Sequence, residues 1–204
     1  MRATREALLT AGIALLGEQG LEGPSLDAIC DRAGYTRGAF YVHFRDRDDF
    51  LVAVMERVGT RFLDAVLGAS GAQEDLAGTV GRFIASVTSG AYPLTPKGGI
   101  RPHQLLDACA RSPAIRARYV GLVEDTVARL GRMVRAGQEA AVLRLDVSPD
   151  DVASILLAAV IGAQTMLELK VDVDLSRSAA TVLSLLAPAP PSPAFPTTRR
   201  RRRS

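Results

Sequence analysis

Between residues 25 and 47 two short helical patterns meet at one glycine, in the order S-L-D-A-I-C-D-R-A-G-Y-T-R-G-A-F-Y-V-H-F-R-D-R. Leu26, Ile29 and Ala33 recur at the spacing of a single helical face. Ser25, after Pro24, predicts an N-cap, and Asp27 suits the positive end of the helix that follows. Gly34 predicts the stop, because a tight turn needs a left-handed backbone that glycine adopts without a Cβ clash. Thr36 predicts a second cap. Beyond it Phe40 and Phe44, four apart, share an inward face and leave Arg37, Tyr41 and His43 pointing elsewhere. Two short helices, a glycine turn and polar groups on the second helix describe a helix-turn-helix.

A second helix lying in a major groove must offer side chains to base edges and fix itself on phosphates. Arg37 carries the planar fork that matches the two acceptors of guanine. Ala39 and Val42 offer apolar contact, for instance to a thymine methyl, and Gly38 permits close approach to the backbone. Ser25 and Thr36 carry hydroxyls suited to phosphate. Tyr35, in the turn, reads either as packing or as a backbone contact.

Residues 4–52 resemble the N-terminal domain of TetR-family transcriptional regulators. The resemblance rests on an ordered set of pieces: L-G-E-Q-G at 16–20, P-S-L-D-A-I at 24–29, A-G-Y-T-R-G-A-F-Y-V-H-F at 33–44, and Arg47. It implies that Tyr41 and His43 are the family's phosphate-contacting pair. It also implies that Arg47, standing where the family has a lysine, keeps that residue's phosphate role. Gly12 and Leu16 fall where the family usually has Ala and Phe, which predicts changed packing and some lost stability rather than lost function.

The charge count tempers this reading. The chain carries net charge +3, but Arg199 to Arg203 supply five positive charges at its end, and without them the remainder is −2. Residues 1–50 hold six arginines against eight acids. A general basic field is absent there, so affinity for DNA must depend on a few placed groups. Hydrophobic residues make up 48% of the chain while aromatics make up 5%, so a core is affordable but must consist mainly of Ala, Leu and Val. No apolar run reaches the ~20 residues of a membrane span, and the N-terminus lacks a signal-peptide layout. The chain therefore reads as soluble and cytoplasmic. Cys30 and Cys109 make no metal spacing with the two histidines and read as reduced, buried thiols. No cofactor motif or metal quartet is present, and none is expected.

The fold class is all-α, a nine-helix TetR-like architecture. Thr4 to Gln19 predicts the first helix, and Asp46 caps a fourth that runs to about Leu67. A fifth covers about residues 73–90, a loop covers 91–99, and a sixth runs to Arg111. Ser112-Pro113 and Ser148-Pro149 each pair a cap with proline at the first helical position. They open a seventh helix to about Ala140 and an eighth to about Lys170, and Ser176 to Leu186 is a ninth. The domains predicted are a helix-turn-helix DNA-binding domain at 1–50 and a helical ligand-binding and dimerisation domain at 51–187. A Pro-rich tail at 188–204 ends in the arginine run. That tail reads as disordered, serving either as a solvated end or as a nonspecific attraction to DNA.

The centre of the eighth helix, I-L-L-A-A-V-I-G-A, is apolar nearly all round. It is either a central core helix or an obligate interface. The resemblance favours a homodimer in which helices eight and nine form a four-helix bundle with their symmetry mates. Leu156, Ala159, Val160, Ala163, Leu167, Val182 and Leu185 are the candidate interface residues. The resemblance also implies a small effector in the C-terminal domain that moves the fourth helix and alters the spacing of two DNA-reading heads. Phe83, Tyr92, His103, Cys109, Tyr119, Met133, Gln164 and Met166 are candidates to line its pocket, and the apolar bias points to a hydrophobic or aromatic effector.

The function expected is a ligand-responsive repressor on a palindromic operator. The alternatives are an activator of the same fold, an enzyme, or a tail-driven nonspecific nucleic-acid binder. His103, Asp107 and Cys109 are the only grouping suggestive of catalysis. On a helix the first two share a face and Cys109 falls off it, and no phosphate loop or nucleophile elbow accompanies them.

Overall fold

Seven of the helices begin where a short polar side chain accepts from the first turn. In the computed structural model, which describes residues 1–68, 75–89 and 102–188, Ser25 Oγ accepts from the Ala28 amide at 3.1 Å. Thr36 Oγ1 accepts from Ala39 at 3.2 Å and Asp46 Oδ1 from Asp49 at 2.8 Å. Ser112, Ser148 and Asp174 do the same for the amides of Ile115, Asp151 and Arg177. Each cap satisfies a donor that the helix itself leaves without a partner. Among the described residues the result is nine helices: α1 Arg2–Gln19, α2 Leu26–Ala33, α3 Arg37–Tyr41, α4 Arg47–Leu67, α5 Leu76–Thr88, α6 Pro102–Arg111, α7 Pro113–Glu139, α8 Pro149–Glu168 and α9 Leu175–Leu186.

The predicted starts of α2, α3, α4, α7 and α8 coincide with these caps. The fifth helix begins later than expected because Asp75 caps it, accepting from Gly78. Residues 69–74, 90–101 and 189–204 lie outside the described residues. The expected loop at 91–99, the candidate Tyr92 and the arginine tail fall there. Gly34 closes α2 at φ 74°, ψ 31°, the left-handed conformation the turn demanded.

Two apolar clusters form the core. The first joins α1, α2, α3 and the front half of α4 through Leu8, Leu16, Ile29, Phe40, Phe44, Phe50 and Val54, and takes in Ala108 of α6 and Ile115 of α7. The second joins the rear half of α4 to α5, α7, α8 and α9 through Leu63, Val66, Leu67, Leu76, Leu130, Val134, Ala153 and Leu156. The partition expected at residue 50 falls inside α4, and the first cluster continues along that helix to Val58.

Within the first cluster the rings of Phe40, Phe44 and Phe50 meet at centroid separations of 5.0–5.4 Å. A Cβ on Gly12 would overlap the Phe50 ring. The departure at Gly12 is therefore matched by a large side chain on α4 that fills the space, and the expected stability loss at this site has a compensating partner.

α8 differs from the sequence expectation in one respect. It has a mean hydropathy of 1.4 over its apolar stretch, long and apolar enough by those criteria to cross a membrane, and 17% of that stretch is buried. Its charges, Asp150, Asp151 and Glu168, lie at its ends and leave the middle uninterrupted. Along its outer side Ile155 is 68% exposed, and Ala158, Met166 and Leu169 are exposed as well. Large apolar area facing outward marks a contact surface.

Candidate nucleic-acid interface and ligand cavity

α3 stands on the aromatic cluster. Phe40 and Phe44 are buried beneath it, which turns Tyr41 and Val42 outward at 51% and 65% exposure. Tyr41 packs edge-on against Phe40 at 5.5 Å, so the outward phenol sits on a rigid base. His43 is half-buried beside Phe44. Gly38 and Ala39 lie on the exposed first turn, whose cap is Thr36. The hydroxyls of Ser25 and Thr36 accept from their own helices and keep their protons for an outside acceptor. Tyr35 is 36% exposed, and its amide donates to the Cys30 carbonyl at 3.0 Å.

Two arginines are placed differently from expectation. Arg37 Nε lies 3.2 Å from Asp27 Oδ1, with both side chains more than half exposed. An ion pair in that much solvent is worth only about 0–1 kcal/mol, so Asp27 holds Arg37 weakly. Arg47 is committed inward. Its Nη1 donates to the Pro24 carbonyl at 2.7 Å and its Nη2 to the Leu21 carbonyl at 2.9 Å, 23 and 26 residues back. The fork staples the α1–α2 connection to the start of α4. Arg47 thus has a structural role beside the phosphate contact expected of it, two of its donors serving backbone acceptors.

Arg45, which sequence reasoning passed over, is 83% exposed, and among the described residues it pairs with Asp49 at 3.6 Å. It follows directly on Phe44, and that adjacency to the Y-x-H-F run was the available signal.

Behind this head, α4, α5, α7, α8 and α9 line a half-open cavity of about 300 Å³. Gly59, Phe62, Leu63, Val66 and Leu67 of α4 form one wall. Phe83, Tyr119 and Gln164, three of the expected pocket residues, line it. The other described candidates do not. Met133 packs on the second cluster, and its Sδ accepts from Thr79 Oγ1. Met166 is on the exposed side of α8. His103 is exposed, with Nδ1 2.8 Å from Glu168 Oε1, and Asp107 pairs with Arg111 at 3.0 Å. The grouping of His103, Asp107 and Cys109 is thus a histidine–glutamate contact and a separate surface ion pair beside a thiol packed on the first cluster. Burial pushes the thiols of Cys109 and Cys30 upward in pKa, away from the reactive thiolate.

Comparison with known proteins meets this geometry. The family model described as "Bacterial regulatory proteins, tetR family" matches residues 8–54, and that described as "Tetracyclin repressor-like, C-terminal domain" matches residues 74–183. The chain belongs to the TetR family of transcriptional regulators.

Among curated relatives, an uncharacterised HTH-type transcriptional regulator, YwcC of Bacillus subtilis, is 44% identical over 55 residues. Those residues are 27% of this chain and 25% of YwcC, so the match spans about a quarter of that relative's length. The crystal structure of regulatory protein TetR from Rhodobacter sphaeroides is 25% identical, covers 89% of this chain and 98% of its own, and superposes with a TM-score of 0.66. A SmeT–triclosan complex, SmeT being the repressor of a Stenotrophomonas maltophilia multidrug efflux pump, is 26% identical. It covers 90% of this chain and 89% of its own, with a TM-score of 0.64.

In this TetR-family regulator the expected interface residues divide between two faces of α8 and α9. Leu156 is buried, and with Ala159, Val160, Ala163 and Val182 it lines the cavity. Leu156 is thereby corrected from contact surface to core, because that face of α8 turns toward α7. Leu167 and Leu185, at 36% and 65% exposure, remain outward. An all-apolar helix gives no sequence cue to which side faces in.

Proposed function

We propose that this TetR-family regulator is a repressor that binds a near-palindromic operator as a homodimer and is released by a small apolar molecule. The observation that carries the reading is the cavity's wall on α4, since the same helix holds the DNA-reading head at its other end. An occupant that fits one arrangement of α4 better than another shifts the head by its differential affinity, and by no more than that. The occurrence of triclosan in the SmeT complex supports an apolar effector.

In the bound state Arg37 leaves Asp27 and reads a guanine, while Ala39 and Val42 meet apolar base edges across the gap that Gly38 leaves open. Tyr41, His43, Arg45 and the hydroxyls of Ser25 and Thr36 hold phosphates. Two heads are joined through the outward stripe of α8, Ile155, Ala158, Gly162, Met166 and Leu169, together with Leu185 of α9. The regulator acts in the cytoplasm, on the chromosome.

Selection of bound fragments from genomic DNA by the full chain is the test. The expected product is an inverted repeat whose recovery fails for Arg37→Ala and Tyr41→Ala, and Ile155→Arg yields a monomer on size exclusion. Recovery of the same repeat by both head variants, or of no repeat at all, overturns the reading.

A further inference from the structure

We propose that the cavity takes an uncharged, largely apolar molecule bearing one hydrogen-bond acceptor, and that the Tyr119 hydroxyl donates to that acceptor. The proposal rests on the cavity being the effector site. None of the described lining side chains carries a formal charge. Two arginines of α5 and α7 are turned to other partners: Arg82 Nε donates to the Val66 carbonyl at 2.9 Å, and Arg129 Nη1 to Asp64 at 2.7 Å. An ion entering this space would lose water and meet no countercharge among the described lining side chains, which is costly for either sign. Carboxylates and ammonium ions are therefore rejected alike, and only a neutral molecule is accepted.

The polar ends on the lining differ in what they have left to offer. The Thr126 hydroxyl donates to the Leu122 carbonyl at 2.7 Å. The Thr79 hydroxyl donates to Met133 Sδ at 3.5 Å and accepts from Arg82 at 3.0 Å. Gln164 has an interaction of its own, and Ser178 lies on the exposed side of α9. Tyr119 is half-buried, lines the cavity and has no hydrogen-bond partner among the described residues. Burial raises its pKa, so the phenol keeps its proton at neutral pH and acts as a donor. A half-buried donor without a partner beside an apolar cavity selects a carbonyl, ether or similar acceptor on the occupant.

A matched two-ring series tests this without DNA. Acetylnaphthalene, naphthalene, naphthoate and naphthylmethylammonium are titrated against the full-length protein carrying the neutral dye N-phenylnaphthylamine, and displacement is followed by fluorescence. The expected order puts the ketone about threefold to tenfold tighter than naphthalene, the difference of one net hydrogen bond. Both ions should bind at least about tenfold more weakly than naphthalene. Tyr119→Phe should bring the ketone to naphthalene's affinity and leave naphthalene unchanged. Gln164→Glu, an isosteric acid, should raise the ammonium's affinity.

The proposal is overturned if either ion competes as well as the ketone, if Tyr119→Phe preserves the ketone's advantage, or if the dye and all four probes fail to bind. Binding in the expected order by a ketone that leaves the operator complex untouched would sink the release reading alone and leave the ligand class standing.

Discussion

Replacing Arg47 with Ala separates a structural role from a phosphate contact. The side chain makes two charge-assisted hydrogen bonds, to Pro24 and Leu21 carbonyls, from a partly buried position. Bonds from a charged donor contribute about 1.5–3 kcal/mol each in well-shielded settings. With water able to reach one side, the pair together should amount to about 2–3 kcal/mol. That is a large part of a domain stability of ~5–15 kcal/mol. Urea unfolding followed by circular dichroism, at fixed protein concentration because the stability of the proposed dimer would depend on it, should show the midpoint falling accordingly. Arg47→Lys, keeping the charge but only one reachable carbonyl, should lose roughly half as much. Operator affinity is then read by fluorescence anisotropy from ~50 to ~200 mM salt, under conditions where the variant is folded. The slope of log affinity against log salt should stay at its wild-type value. A phosphate ligand behaves oppositely: its loss lowers the slope by about 0.9 and leaves stability within about 0.5 kcal/mol. An unmoved urea midpoint together with a slope reduced by about one would refute the staple.

Gly12→Ala should destabilise by about 1–2 kcal/mol, overpacking against Phe50 outweighing the gain in helix propensity. Adding Phe50→Leu should recover part of that loss in the same denaturation assay. Asp27→Asn removes the carboxylate that competes for Arg37 and should tighten operator binding about twofold to fivefold, measured by anisotropy. Asp146 is held down to about 2 by the Arg144 guanidinium, from an ordinary value of 3.8. A depressed carboxylate stabilises the fold above its unfolded pKa, and that contribution disappears as pH falls from about 4 to about 2. Arg144→Ala should therefore lower stability at neutral pH, flatten the acid limb between about pH 4 and pH 2, and converge on the wild-type value below that window.

Local chemistry in the sequence was enough to place most helix starts, because Ser25, Thr36, Asp46, Ser112 and Ser148 act on amides three residues ahead. The inward faces of α3 and α4 were legible for the same reason: Phe40, Phe44 and Phe50 follow helical spacing. Long-range polar choices left no such trace. The Arg47 fork reaches 23 and 26 residues back, and His103 meets Glu168 65 residues on. No periodicity links those positions. The pocket candidates divided along similar lines. Phe83, Tyr119 and Gln164 reach the cavity while Met133, Met166 and His103 do not, since residue type alone does not say which face of a helix turns to a void. On α8 the failure was sharper, since apolar residues on every side hid the difference between Leu156, in the core, and Ile155, next to it and exposed.

The position of Gly59 bears on how such a regulator can diversify. It sits on α4 between Val58 of the first cluster and Leu63 of the second, with the Leu122 side chain against its Cα. One helix is thus both the floor of the helix-turn-helix and a wall of the cavity. On the function proposed above, a change that reshapes the cavity from α4 also re-aims the head, and selection must accept both together. The α5, α8 and α9 walls carry no such burden, so new effector preferences should accumulate there first, with α4 the slowest-changing side of the chamber.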